Sequence, residues 1–127
     1  MLESNRLILK KKKVIVKVYI ETYGCTMNQA DTDILRGVVA QKYRLVDTAE
    51  NADVVLINSC GVVEFTERKI LKRILVLKKS GKIVIVAGCL PRISLKKIEK
   101  VADGALSPDN ILKANEVIEK VLKVRNR

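Results

Sequence analysis

The chain has 127 residues, 48% of them hydrophobic, which supports one folded domain with a real core and leaves too little length for two of ordinary size. It carries 25 Lys and Arg against 14 Asp and Glu, a formal net charge of +11, and no histidine. No apolar run is long enough to span a bilayer, the opening Met1-Leu2-Glu3-Ser4 has no secretory character, and three widely spaced cysteines make a poor disulfide framework, so a cytoplasmic protein without a membrane partner is expected.

Residues 1–13 form a basic lead-in that ends in Lys10-Lys11-Lys12-Lys13. This run is either a phosphate-contacting patch or a solvated approach to the first strand. The pattern that follows alternates strand with helix, which predicts an α/β domain with a parallel sheet. The first strand is expected over Val14 to Glu21, followed by a loop with Gly24 and Cys25. Asn28 is placed to cap a helix whose apolar stripe is Ile34, Leu35, Val38 and Val39. A short strand is expected over Tyr43 to Val46 and a third over Asp53 to Asn58, the latter apolar on both faces as a buried parallel strand should be. After Cys60-Gly61 comes a helix from Glu64 to Lys79, with Ile70, Leu71, Ile74 and Leu75 facing inward and Gly81 at its C-terminal cap. The fourth strand is Lys82 to Ala87, and Ser94 is expected to cap the short helix after it, which carries Leu95, Ile98 and Val101. A fifth strand covers Gly104 to Leu106, and Pro108-Asp109 opens a last helix with Ile111, Leu112, Val117, Ile118, Val121 and Leu122 as its core face. Five such units predict a flavodoxin-like sheet of order 2-1-3-4-5 with helices on both faces.

The three cysteines each follow a strand-like run, and each has a glycine beside it: Gly24-Cys25, Cys60-Gly61 and Gly88-Cys89. In the expected order, the first, third and fourth strands are neighbours. Their carboxyl ends open at one edge, so three thiols remote in sequence can meet there. A thiolate is stabilised near a helix N-terminus, and glycine lets backbone approach a bulky inorganic group. Three cysteines on an iron–sulfur cubane leave one iron free for a substrate or sulfur donor. A lone cysteine is ordinarily a small buried hydrophobe, but three at strand ends beside glycine are a donor set. The absence of histidine removes a mixed Cys/His zinc site, while a three-cysteine zinc site with water as fourth ligand stays open. The loop Thr22–Asn28 has too few hydroxyls and glycines for a flavin phosphate, and Asn58-Ser59-Cys60 stands where a phosphorelay receiver needs an aspartate. Net positive charge is compatible with a nucleic-acid partner and equally with the charged surface networks of proteins from heat-loving organisms. Base-stacking aromatics are scarce, at 3% of the chain.

Glu21-Thr22-Tyr23-Gly24-Cys25-Thr26-Met27-Asn28-Gln29-Ala30-Asp31 resembles the opening motif of the methylthiotransferases, radical S-adenosylmethionine enzymes that place a methylthio group on tRNA or a ribosomal protein. Ala52–Cys60 and Ala87-Gly88-Cys89-Leu90-Pro91 resemble the second and third cysteine motifs of the same N-terminal domain. Thr66–Ile70 is closest to the archaeal and eukaryotic branch, which acts on N6-threonylcarbamoyladenosine in tRNA. The resemblance runs from about Val14 to Val124. It implies that Cys25, Cys60 and Cys89 hold an auxiliary [4Fe–4S] cluster, with Asn28 and Asn58 at polar positions beside it, next to the flanking Gly24, Gly61 and Gly88 already expected there. It also implies that the cluster's open iron carries the sulfur destined for the adenine C2 carbon, and that the partners are the tRNA anticodon arm and a radical S-adenosylmethionine domain in cis.

Three positions depart from the family pattern: Ser59 replaces a threonine, Phe65 stands where the branch has proline, and Ser107 stands near a common glycine. The C-x-x-x-C-x-x-C motif of the radical domain, which holds a second cluster and S-adenosylmethionine, does not occur in these 127 residues. The chain is therefore expected to be the N-terminal domain alone, able to bind a cluster but not to cleave S-adenosylmethionine. The rival expectations are a non-catalytic cysteine–zinc module that binds RNA and a metal-free flavodoxin-like interaction domain.

Overall fold

Strand-length apolar runs separated by amphipathic segments bury both faces of each strand only if helices lie above and below a common sheet. The computed structural model describes residues 15–23, 28–60, 64–89 and 92–125 and has this arrangement. In chain order the elements are β1 (Lys17–Tyr23), α1 (Asn28–Ala40), β2 (Arg44–Leu45), β3 (Val54–Cys60), α2 (Glu64–Lys79), β4 (Ile83–Cys89), α3 (Arg92–Val101), β5 (Gly104–Leu106), a 3-10 turn (Pro108–Lys113) and α4 (Ala114–Arg125). The five strands pair in the order β2-β1-β3-β4-β5, every pair parallel, as the sequence predicts.

Side-chain alternation along the strands divides the core in two. Val18, Ile20, Val54, Leu56, Ile83 and Ile85 meet Leu35 and Val39 of α1 and Ile118 of α4 on one face. Val55, Ile57, Val84 and Val86 meet Ile70, Ile74 and Leu77 of α2 and Ile98 of α3 on the other. Each such side chain contributes about 1.5–3 kcal/mol when fully buried. The central strands β3 and β4 supply most of this burial, because they have neighbours on both sides and helices on both faces.

Several sequence expectations shift in detail. α2 has the expected bounds, and its end is a Schellman cap: Gly81 N–H donates to Lys78 O at 3.0 Å and Lys82 N–H to Leu77 O at 3.0 Å, with Gly81 at φ +82°. Ile34 and Leu75, expected to face inward, are 47% and 54% exposed, since each lies about 100° round its helix from the buried Leu35 and Ile74 and a flat sheet covers only a narrow stripe. Ser94 lies within α3 rather than at its cap. Pro108 opens a 3-10 turn instead of the α-helix, with a kink at Asn110, and the change of helical pitch leaves Leu112 75% exposed. Both β3 and β4 run two residues past their expected ends, so Cys60 and Cys89 lie on strands rather than in loops.

The last ladder step of β4 depends on one glycine. Gly88 pairs in register with Ser59 at φ +115°, and a Cβ there would stand 1.7 Å from the Ser59 carbonyl oxygen. Gly88→Ala is expected to destabilise the domain by about 3 kcal/mol or more, from a left-handed backbone combined with a clash against main chain. Gly37→Ala, in α1 with open space at its Cβ, should be neutral or stabilising by up to ~1 kcal/mol. Chemical denaturation of the two variants checks the contrast.

Candidate metal centre at the carboxyl edge of the sheet

Two of the three sequence-predicted cysteines are brought together by strand register. Cys60 and Cys89 are direct partners at the ends of β3 and β4. Adjacent strands lie about 4.8 Å apart, so these two backbone positions are close neighbours. β1 ends at Tyr23, level with Ser59 and two residues before Cys25. Cys25, Gly24 and Gly61 lie outside the described residues. α1 opens at Asn28, which is the first residue of the helix. Among the described residues there is no group of three His, Cys, Asp or Glu side chains that could hold a metal ion.

Just below this edge the sheet changes character. On the α1 face, β1 reads Val18, Ile20, Thr22 and β3 reads Val54, Leu56, Asn58, so apolar side chains give way to polar ones at the last level. These polar groups are joined. Thr22 Oγ1 and Thr32 Oγ1 are 2.9 Å apart, and Asn58 Nδ2 donates to Thr32 Oγ1 at 2.9 Å. Asn58 is 1% exposed and Thr32 7% exposed. Thr22 precedes the Cys25 segment and Thr32 follows it, so their contact bridges its two ends, and Asn58 ties both to the strand that ends in Cys60. One level further, Ser59 Oγ donates to the Ala87 carbonyl at 3.3 Å, tying β3 to β4. Asn58 and Gly88 were legible in the sequence as residues near the cysteines. Thr32 was not, because a threonine inside a helix carries no signal of its contacts across ten residues.

A second cluster occupies the opposite face of β1. Arg73 of α2 donates through Nε to Glu21 Oε2 and through Nη2 to Glu21 Oε1, both at 3.0 Å, and Tyr23 Oη donates to Glu21 Oε2 at 2.5 Å. The Glu21 side chain is 15% exposed and that of Arg73 32%, so this fork is partly desolvated and stronger than a surface pair. It links the strand before Cys25 to the helix after Cys60. Burial foremost, then the hydrogen bond to Glu21 and that carboxylate's charge, push the Tyr23 phenol well above its ordinary range.

Thr32→Val, which keeps shape and removes the shared oxygen, should cost about 1–3 kcal/mol by leaving Asn58 and Thr22 short of a partner, and Thr32→Ser should recover most of it. Because the Tyr23 pKa is raised on folding, its neutral form contributes stability fully present below the unfolded tyrosine pKa of about 10 and lost as pH rises above that value. Alkaline ultraviolet titration should therefore show phenolate appearing later than in the unfolded chain, and Tyr23→Phe should reduce that late component while leaving the contribution of Tyr43, which burial also raises. A Tyr23 phenol that ionises in the folded chain near pH 10 would contradict the observed burial and hydrogen bond.

Comparison with known proteins agrees with the motif assignment. The family described as "Uncharacterized protein family UPF0004" matches residues 17–106. A protein of Archaeoglobus fulgidus named "Probable threonylcarbamoyladenosine tRNA methylthiotransferase" is 59% identical over 96 residues, covering 76% of this chain and 22% of that protein. A protein of the same name from Pyrococcus horikoshii is 37% identical over 110 residues, covering 86% of this chain and 26% of that protein. The "tRNA-2-methylthio-N(6)-dimethylallyladenosine synthase" of Chlorobium phaeobacteroides is 39% identical over 94 residues, covering 69% of this chain and 21% of that protein. The chain thus spans about a quarter of the length of the curated relatives it matches. With its UPF0004 region, its cysteine motifs in order and its parallel sheet, the chain belongs to the methylthiotransferase family as that family's N-terminal domain, and stands beside the archaeal threonylcarbamoyladenosine tRNA branch.

Proposed function

We propose that this chain is the auxiliary [4Fe–4S] cluster domain of a tRNA methylthiotransferase that modifies C2 of N6-threonylcarbamoyladenosine beside the anticodon. The observation that carries the reading is the register pairing of Cys60 with Cys89 at the carboxyl edge of the sheet. Cys25 follows the adjacent strand β1 by two residues and completes a donor set of three thiols. Three thiolates fit a cubane cluster with one iron left open, and when bound such a cluster supplies a site for sulfur. The chain's own residues position that site. Gly88 admits the close approach of β3 and β4, and the hydrogen-bonded set of Thr22, Thr32 and Asn58 holds together the two strands that lead to Cys25 and Cys60. Asn28, Asn58, Gly24, Gly61 and Gly88 are the proposed neighbours of the cluster.

In the intact enzyme a radical S-adenosylmethionine domain in cis, with its own [4Fe–4S] cluster, would activate the adenine C2–H bond. The present domain would hold the sulfur source against that carbon, a positioning role. The relatives' names support the tRNA substrate. No helix of the described residues is long and apolar enough to cross a membrane.

Anaerobic reconstitution with iron and sulfide tests the proposal. The expected product is brown, with broad visible absorption and equal amounts of bound iron and sulfide. Cys25→Ser, Cys60→Ser and Cys89→Ser should each lower cluster retention against a chelator by at least about tenfold. A colourless protein that takes up one zinc per chain would overturn the cluster in favour of a zinc module. Unchanged properties in all three variants would favour a metal-free interaction domain.

A further inference from the structure

Charge is divided unequally between the two helix layers. α2 carries six basic and two acidic residues and α3 four basic and one acidic, a net +7 on one face of the sheet. α1 carries one basic and two acidic residues and α4 three basic and two acidic, a net of zero on the other. On the neutral layer, Lys42, just past the end of α1, and Lys123 of α4 both reach Glu119. On the basic layer, Arg73 and Lys78 are taken up by Glu21 and Asp103. Lys72 and Lys79 of α2 and Lys96 and Lys100 of α3 remain exposed, and Glu99 is the acidic residue among the described side chains of these two helices. A face of like charges costs the folded chain self-repulsion, which a bound polyanion relieves.

The layer is also placed to serve the cysteine edge. α2 follows Cys60 and α3 follows Cys89, so both helices run back from that edge with their lysines along the way. α2, with 16 residues, is about 24 Å long, enough to follow several phosphates. The neutral α1–α4 layer offers no such track.

We propose that the α2–α3 layer is the face on which the phosphate backbone of an RNA docks, and that the α1–α4 layer turns away from it. The choice of RNA among polyanions rests on the function proposed above, and the location rests on the charge division. Aromatic side chains are few, so contact is through phosphates and carries little sequence discrimination.

The test compares two charge-matched triples in the full chain. Lys72, Lys96 and Lys100 are changed to Glu in one, and Arg36, Lys120 and Lys123 to Glu in the other. Binding of a fluorescent stem-loop RNA is followed by anisotropy over a range of salt. The first triple should weaken binding at least about tenfold and flatten the salt dependence by up to about three counterions, while the second should stay within about twofold. Equal losses from both triples would overturn the assignment, as would no loss from the first, no RNA binding by the parent chain, or preference for anionic phospholipid vesicles over RNA. Should a triple fail to fold by circular dichroism, the single changes Lys72→Gln and Lys96→Gln against Arg36→Gln and Lys120→Gln give the same contrast at smaller amplitude. Cluster loading is read by visible absorption on the same samples. Retained RNA binding without a cluster therefore counts against the cluster alone, and a loaded cluster without RNA binding counts against the docking face alone.

Discussion

The carboxyl edge depends on β3 and β4 staying paired to their final residues. The ladder is unbroken from Val54 opposite Ile83 to Cys60 opposite Cys89. Composition works against its last steps, since Asn58, Ser59 and Gly88 are all poor strand formers. Geometry reverses this. Gly88 takes a backbone conformation closed to side chains, and the Ser59 carbonyl occupies the space where its Cβ would be. The Ser59 hydroxyl, fully buried, bonds the carbonyl of Ala87. Two strands thus remain in register beyond the point where their side chains favour pairing, and the cysteines are carried on sheet rather than on free loop.

The polar level beneath that edge has a different logic from the core below it. Two valines and a leucine in place of Thr22, Thr32 and Asn58 would extend the apolar layer with no hydrogen-bonding obligation. A buried polar set gains little net stability, and each member is costly if left unpaired. What it adds is direction. Apolar contacts tolerate sliding, whereas the contacts of Thr32 with both Thr22 and Asn58 fix α1 along and around its axis relative to β1 and β3. The Glu21–Arg73 fork does the same for α2 on the opposite face. Polar ties on both faces brace β1 against the two helices that follow the first two cysteines.

Much of the architecture was legible in the sequence. Apolar runs of strand length, Gly81 as a helix stop and the spacing of Ile70, Ile74 and Leu77 define elements whose order in the sheet follows from connection rules alone. Helix faces were less legible, because two adjacent apolar residues such as Ile34 and Leu35, or Ile74 and Leu75, do not say which one the sheet will cover. The ends of β3 and β4 were misjudged for a related reason. Their last residues are held by main-chain pairing and a positive φ at Gly88, and side-chain patterns do not encode either one. At the site, residue types near the cysteines were visible, but the link through Thr32 exists only once α1 is laid across β1 and β3.

The strand order itself explains why the site should lie here. From β1 the chain turns outward to β2, then crosses back to β3 on the other side, so the crevice between β1 and β3 is the point where the winding reverses. In open parallel sheets the loops on either side of that point diverge and leave a ligand-sized gap at the carboxyl edge. Cys25 comes two residues after one bordering strand and Cys60 ends the other, and the Thr22–Thr32–Asn58 set ties those two strands together just below their carboxyl ends. A fold that elsewhere offers this edge to a phosphate through loop amides would, in the proposed function, offer thiols in its place, with Cys89 paired beside Cys60 at the end of β4. The place of the proposed site thus follows from the topology, and in that proposal the cysteines determine what chemistry it holds.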